Sequence, residues 1–113
     1  MTKKDDLAFI EHILDSINAI EEFSKKMNKE ELNSNRLKQS AIVREIEIIG
    51  EAIKNISEET RNKHKEVAWK EIAGTRDKMI HHYFGVDLEI IWEIIKKDIP
   101  ILKKQMLEIK RVP

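Results

Sequence analysis

Apolar residues recur at intervals of three and four along most of this chain, the spacing that puts them on one side of an α-helix. Leu7, Ile10, Ile13, Leu14, Ile17, Ile20 and Phe23 form the first such stripe and predict a helix from about Lys4 to Met27. Thr2 or Asp5 is the expected cap at its start, because either side chain can accept an early amide hydrogen. The polar, Asn-rich stretch "NKEELNSN" breaks the pattern and is expected as a loop. A second helix is predicted from about Arg36 to Ile56. Ile42, Ile46, Ile49, Ile53 and Ile56 form its stripe, widened by Ala41, Val43, Ile48 and Ala52. A stripe that wide predicts burial on two sides, one against the core and one against a neighbour or partner subunit.

"SEETRNKHKEV" follows as a polar connection with room for one helical turn. A third segment opens near Val67 or Trp69, with Trp69, Ile72, Ala73, Met79 and Ile80 as its apolar positions. Asp87 is placed to cap the fourth, whose stripe is Leu88, Ile91, Trp92, Ile95, Ile99, Leu102, Met106 and Ile109. Pro100 interrupts this last stripe. Proline lacks an amide hydrogen and crowds the preceding turn, so a kink or restart is expected there, with Asp98 near the new start. No strand pattern, internal repeat or low-complexity tract stands out. Four helical segments with short connections predict an all-α protein, an antiparallel four-helix bundle.

Composition narrows the class. The 113 residues suit one domain, spanning 1–113, and are too few for two. Three glycines, two prolines and abundant Ile, Leu, Glu and Lys favour long helices. Basic and acidic side chains balance at 21 each, so no global attraction to nucleic acid exists, although a local basic site is not excluded. With no cysteine there is no disulfide and no thiolate metal site. No apolar run approaches the length of a membrane span and no signal peptide opens the chain. The expectation is a cytoplasmic protein with no membrane association.

One stretch departs from this plain background. "GTRDKMIHHYFGVD", residues 74–87, holds two of the four histidines, the single tyrosine and two of the three glycines. Arg76 keeps its charge, and its planar fork suits phosphate oxygens. His81 is of the type that exchanges protons near neutrality. Tyr83 can donate a hydrogen bond, stack on a base or accept a covalent group. An arginine and a histidine suffice in principle to cleave RNA. The histidine assists attack by the 2′-hydroxyl or departure of the leaving group, and the arginine offsets charge on the phosphate.

The plainer readings are a solvated ion pair for Arg76, an interface aromatic for Tyr83, and histidines at the negative end of a helix for His81 and His82. On an ideal helix Arg76 and Tyr83 share a face, whereas His81 lies about 140° from Arg76. Convergence therefore requires the helix to distort or end near Ile80, or a second copy to complete the site. A metal set of His81, His82, Asp87 and His64 is disfavoured, because adjacent histidines diverge on a helix and no HxxxH spacing is present. Phosphate-binding glycine loops, a GxSxG elbow and cysteine nucleophiles are absent.

Taken together, "WKEIAGTRDKMIHHYFGVDLEIIW" resembles the signature of the HepT-like toxins, a branch of the HEPN superfamily. Trp69, Ile72, Gly74, Arg76, His81, Tyr83, Val86, Asp87 and Trp92 stand in the family's order, and "REIEIIGEA" at 44–52 is similar to its second helix. The resemblance covers most of the chain. It implies a helical bundle that forms a homodimer with both motifs near a shared cleft. It further implies a metal-independent endoribonuclease without a cofactor, acting on an RNA such as tRNA or mRNA as the toxin of a toxin–antitoxin pair.

In that reading Arg76 and His81 are the catalytic pair. Tyr83 matches the tyrosine to which a small MNT-type nucleotidyltransferase antitoxin adds AMP. The family commonly carries Asn after the motif arginine, where this chain has Asp77. Its carboxylate either opposes an anion at Arg76 or orients the guanidinium. His82 fills the variable position, and only His81 fits the four-residue gap. Two further readings compete with the ribonuclease. One is a non-catalytic helical partner that presents substrate to a nucleotidyltransferase, and the other is a structural helical dimer with a remnant site.

Overall fold

A computed structural model describes residues 4–81 and 85–111, and they are almost entirely helical. The first helix, α1 (Lys4–Ser24), buries Ile10, Ile13, Ile17 and Ile20 completely. It ends three residues before the expected Met27. Lys26 adopts a left-handed backbone with φ of 58°, which helices use to stop, and this turns the chain so that Met27 drops into the core.

The stretch expected as a loop is itself a helix, α2 (Lys29–Ser34). Asn28 caps it by accepting from the Glu31 amide at 2.8 Å, and Leu32 anchors it with no exposed surface. The asparagines that read as loop residues are thus caps: Asn35 ends α2 and accepts from the Lys38 amide at 3.0 Å to begin α3 (Arg36–Lys54).

The expected cap of α1 is also corrected. Asp5 lies exposed inside the helix rather than before it, and Thr2 lies outside the described residues. The neighbouring carboxylate does different work. Asp6, only 2% exposed, accepts from the Ser57 amide at 2.8 Å, the Ser57 hydroxyl at 2.6 Å and the Thr60 hydroxyl at 2.6 Å. It thereby ties the start of α1 to the start of α4 (Glu58–Lys63), the one helical turn allowed for in the polar connection. Because α4 follows the end of α3, this bond also fixes α1 and α3 antiparallel.

The third segment is not one helix. It divides at Gly74 into α5 (Trp69–Ala73) and α6 (Thr75–Met79), both packed on α3. A short ladder that the apolar pattern did not suggest comes next. Strands β1 (Ile80–His81) and β2 (Gly85–Val86) pair antiparallel, with Ile80 opposite Val86 and His81 opposite Gly85.

From Leu88 to Arg111 the chain is helical throughout: α7 (Leu88–Glu93), a π-helical turn (Ile94–Asp98), and α8 (Ile99–Arg111). Pro100 therefore neither breaks nor restarts the helix. The turn before it widens, with the Ile99 amide reaching back five residues to the Ile94 carbonyl. A wider turn gives room where the proline ring would crowd the carbonyl four residues earlier. Past this point Ile99, Leu102, Met106 and Ile109 are all buried.

Helices α1, α3 and α8 share one core with Leu32, Val67, Trp69 and Met79. Lys103 pairs with Glu21 and Lys110 with Glu11, so α8 also runs antiparallel to α1. The all-α expectation holds. Among the described residues no helix is long and apolar enough to cross a membrane.

Candidate functional site

The motif stretch hangs between two fixed points. Upstream, Trp69 is buried and its indole nitrogen donates to the His64 carbonyl at 2.9 Å, which sets the start of α5. Downstream, Met79 has no exposed surface, and its carbonyl accepts from the Asp87 amide at 2.6 Å. Asp87 caps α7 as expected, accepting from the Ile90 amide at 3.2 Å. The Asp87–Met79 bond continues the pairing of Ile80 with Val86 and of His81 with Gly85. Gly85 permits the return, since its φ of 80° is strained for any residue with a side chain.

Arg76 projects from α6 with 59% of its side chain exposed. Its Nε donates to Glu47 Oε2 of α3 at 2.8 Å. This bond engages one edge of the guanidinium. Among the described residues the terminal nitrogens make no hydrogen bond, and they form a pair able to grip phosphate oxygens in a fork. Glu47 is 27% exposed, so it is the better anchored of the two partners.

Asp77 is the residue from which the sequence leads one to expect either opposition to an anion at Arg76 or orientation of its guanidinium. Among the described residues Asp77 is exposed and makes no side-chain hydrogen bond or ion pair, and the orienting group is Glu47. Glu47 was missed because 29 positions separate it from Arg76. The signal available was its place on the polar side of "REIEIIGEA".

His81 belongs to β1, beyond the end of α6 at Met79. The angle that separates it from Arg76 on an ideal helix therefore does not apply. Its backbone pairs with Gly85. His82 and Tyr83 lie outside the described residues. Of the disfavoured metal set, His64 faces Glu66 at 3.4 Å and Asp87 is occupied as a cap. Among the described residues no three His, Asp or Glu side chains gather around a common point.

A groove of about 370 Å³ opens beside Arg76. Its floor is the outer face of α3, where Arg44, Glu47, Ile48, Glu51 and Asn55 follow at helical spacing. Phe9 and His12 of α1 form one wall and Arg76 forms the other. The half-buried Ile48, on the wide apolar stripe of α3, lines this groove.

A larger cleft of about 520 Å³ lies elsewhere, lined by Ile46 and Ile49 of α3, Ile72, Ile90, Ile94 and Leu102. Glu66, Glu71, Glu93 and Asp98 also line it, with Lys78. Burial and the Glu93 carboxylate raise the Asp98 pKa above its ordinary value. This cleft does not include Arg76, and an acidic rim repels phosphate, so the smaller groove is the one suited to the motif's chemistry.

Comparison with known sequences shows the family to which this helical chain belongs. The chain belongs to the HepT-like ribonuclease family, whose model, "Ribonuclease HepT-like", matches residues 13–109.

Its relatives include "Putative RNase TTE0752" of Caldanaerobacter subterraneus, 50% identical over 89% of this chain and 90% of the relative. "Probable ribonuclease HepT" of Thermococcus cleftensis is 39% identical, over 96% of this chain and 99% of the relative. "Gamma-glutamylcyclotransferase and putative RNase MJ0434" of Methanocaldococcus jannaschii is 48% identical across 95% of this chain. This chain spans only 48% of that relative's length. No solved structure gives a significant match.

Proposed function

We propose that this chain is a metal-independent endoribonuclease, the toxin of a toxin–antitoxin pair, with Arg76 and His81 as its catalytic pair. The observation that carries the reading is Arg76 itself, in the family's spacing. A carboxylate holds it by one edge, and the residue lines a groove. An unoriented surface arginine would spend conformational entropy on each phosphate it bound, whereas a pinned one has already lost part of that freedom.

In the proposed reaction His81 takes the proton of a ribose 2′-hydroxyl. The O2′–P bond forms, the P–O5′ bond breaks, and the 5′ oxygen leaves with a proton supplied by water, while His81 later gives its proton back to solvent. Arg76 offsets the charge that builds on the non-bridging oxygens as the phosphorus becomes five-coordinate. The reaction draws on one base and one oriented cation, with water as the proton source for the leaving group.

On the same reading residues 1–113 act as one helical domain, a four-helix bundle in which α5 and α6 together form the third member. Two copies pair so that their motifs face one cleft. Tyr83 is the off-switch: a nucleotidyltransferase antitoxin transfers AMP from ATP to its hydroxyl and releases pyrophosphate. The added bulk and negative charge then occupy the place of an RNA phosphate.

Purified protein incubated with tRNA and mRNA tests this. Arg76→Ala and His81→Ala are each expected to lower the cleavage rate by roughly 100-fold or more, as loss of one charge-stabilising or proton-transferring group does. If both variants cleave as fast as the parent, the assignment is wrong. Intact mass after incubation with the antitoxin and ATP tests the switch, through gain of one AMP that Tyr83→Phe abolishes.

A further inference from the structure

We propose that the groove between α1 and α3 is a subsite for the nucleotide next to the cleaved phosphate of single-stranded RNA, with Arg44 holding that nucleotide's phosphate and Phe9 with His12 receiving its base. This rests on the ribonuclease reading and assigns it residues outside the Arg76–His81 motif.

Charge comes first. Arg44 is exposed and, among the described residues, makes no ion pair or side-chain hydrogen bond. Both acids on the groove floor are already matched: Glu47 by Arg76 at 2.8 Å and Glu51 by Lys54 at 3.3 Å. The lining holds two arginines and two glutamates, and among the described residues Arg44 is the one of these four that makes no ion pair, so its guanidinium is the charge left for an incoming phosphate.

Spacing comes second. Arg44 precedes Glu47, which holds Arg76, by three residues on α3, about one helical turn or ~5 Å along the axis. Arg44 and the Glu47 that holds Arg76 thus follow one another along the floor of the same groove, which both arginines line.

The third element is the wall. Phe9 is half-buried, and the exposed His12 ring meets it edge-on, with centroids 6.2 Å apart and planes at 89°. This leaves an aromatic surface at the groove's edge, and aromatic surfaces receive unpaired bases without regard to sequence. The groove volume of about 370 Å³ falls in the range of small-ligand sites, roughly 300–1,000 Å³. Glu51 lines the same floor and is placed to accept hydrogen bonds from a base edge.

Binding of a short fluorescein-labelled 2′-O-methyl oligoribonucleotide, which lacks the attacking hydroxyl, tests the subsite separately from cleavage. Arg44→Ala is expected to weaken binding about fivefold at low salt and to reduce the slope of log affinity against log salt by about 0.7, the share of one phosphate on a single strand. Arg44→Lys should keep the slope. His12→Ala should weaken binding about fivefold through lost base contact. Equal affinity and equal slope for parent and Arg44→Ala overturn the subsite. An unchanged slope with an altered sedimentation coefficient also overturns it, because a second copy of the chain then fills the groove. Cleavage that Arg76→Ala abolishes, beside an Arg44→Ala variant that binds like the parent, removes the subsite and leaves the ribonuclease reading standing. A parent that neither binds nor cleaves RNA removes both.

Discussion

Glu47 on α3 accepts the Nε hydrogen of Arg76 on α6 at 2.8 Å, a contact between a half-buried carboxylate and an exposed guanidinium. Exposed ion pairs stabilise proteins by about 1 kcal/mol at most, so the value of this one lies in orientation rather than in folding. Glu47→Ala is expected to leave the unfolding midpoint nearly unchanged. It should lower kcat for RNA cleavage by roughly tenfold, with a smaller change in KM, because the arginine is then free to rotate away from the transition state. Glu47→Gln retains an acceptor oxygen and should recover part of the loss. Kinetics on all three proteins decide the matter. An unchanged kcat in Glu47→Ala removes Glu47 from the positioning of Arg76.

Asp6 is expected to be the acid whose loss most weakens the fold. It accepts three hydrogen bonds from Ser57 and Thr60, and Thr60 is itself buried. Asp6→Ala leaves those donors without a partner away from water, which costs about 2–3 kcal/mol. Asp5→Ala next door, on an exposed side chain, should stay within about 0.5 kcal/mol of the parent. Urea unfolding of the pair gives the comparison, and equal midpoints would contradict it.

Gly85 sits opposite His81 with φ of 80°, and a Cβ placed there would touch nothing within 4 Å. Any cost of a side chain at this position is therefore conformational. Gly85→Ala should destabilise the protein by about 1 kcal/mol, with Gly85→Asn milder because asparagine tolerates left-handed backbone. Because the same residue pairs with the backbone of His81, cleavage should slow in the order Gly, Asn, Ala. Stability and rate that move in opposite directions would argue against this coupling.

Asp98 gives the pH dependence. Burial and Glu93 raise its pKa in the folded state. A carboxyl raised in this way contributes its stability in full below the unfolded value of 3.8 and loses it as pH rises through the folded value. At pH 7 the ionised group is therefore a cost. Asp98→Asn should stabilise the protein at pH 7 by no more than about 0.5 kcal/mol, since the side chain is exposed and solvent screens it. Thermal melts from neutral pH downward should show that advantage shrinking. An advantage that grows toward acid would reverse the sign.

Local signals were legible in the chain, and distant ones were not. The isoleucine spacing of α1, α3 and α8 and the cap at Asp87 depend on residues within a turn of one another, and each appears where periodicity places it. Asn28 and Asn35 carry equally local information. They were read as loop formers because a cap and a turn favour the same residue type. The stop at Lys26 leaves no mark in residue type, since lysine has no preference for left-handed backbone. The division at Gly74 was visible as a glycine but not as a boundary, because Met79 and Ile80 continue the apolar pattern beyond it. Hardest to read were polar contacts across long stretches of chain, such as Asp6 with Ser57 or Glu47 with Arg76. The candidate site inherits that limit: Arg76 and His81 stand out by type and spacing, whereas Glu47, Arg44 and His12 became visible only when α1, α3 and α6 were brought together.

The wide turn before Pro100 has a consequence for chain length. A π-helical turn is an α-helix that has absorbed one inserted residue. Deleting one residue between Ile94 and Asp98 would restore ordinary winding and leave the buried face of α8 against α1. The face of α7 would stay in phase as well, because the widened turn takes up the extra residue locally and passes no rotation along the helix. Asp87 sits at the start of α7, and its amide closes the motif turn onto Met79. The angular setting of the motif against the core is therefore insulated from the residue count of the segment downstream, which can hold one residue more or fewer without turning Asp87 away.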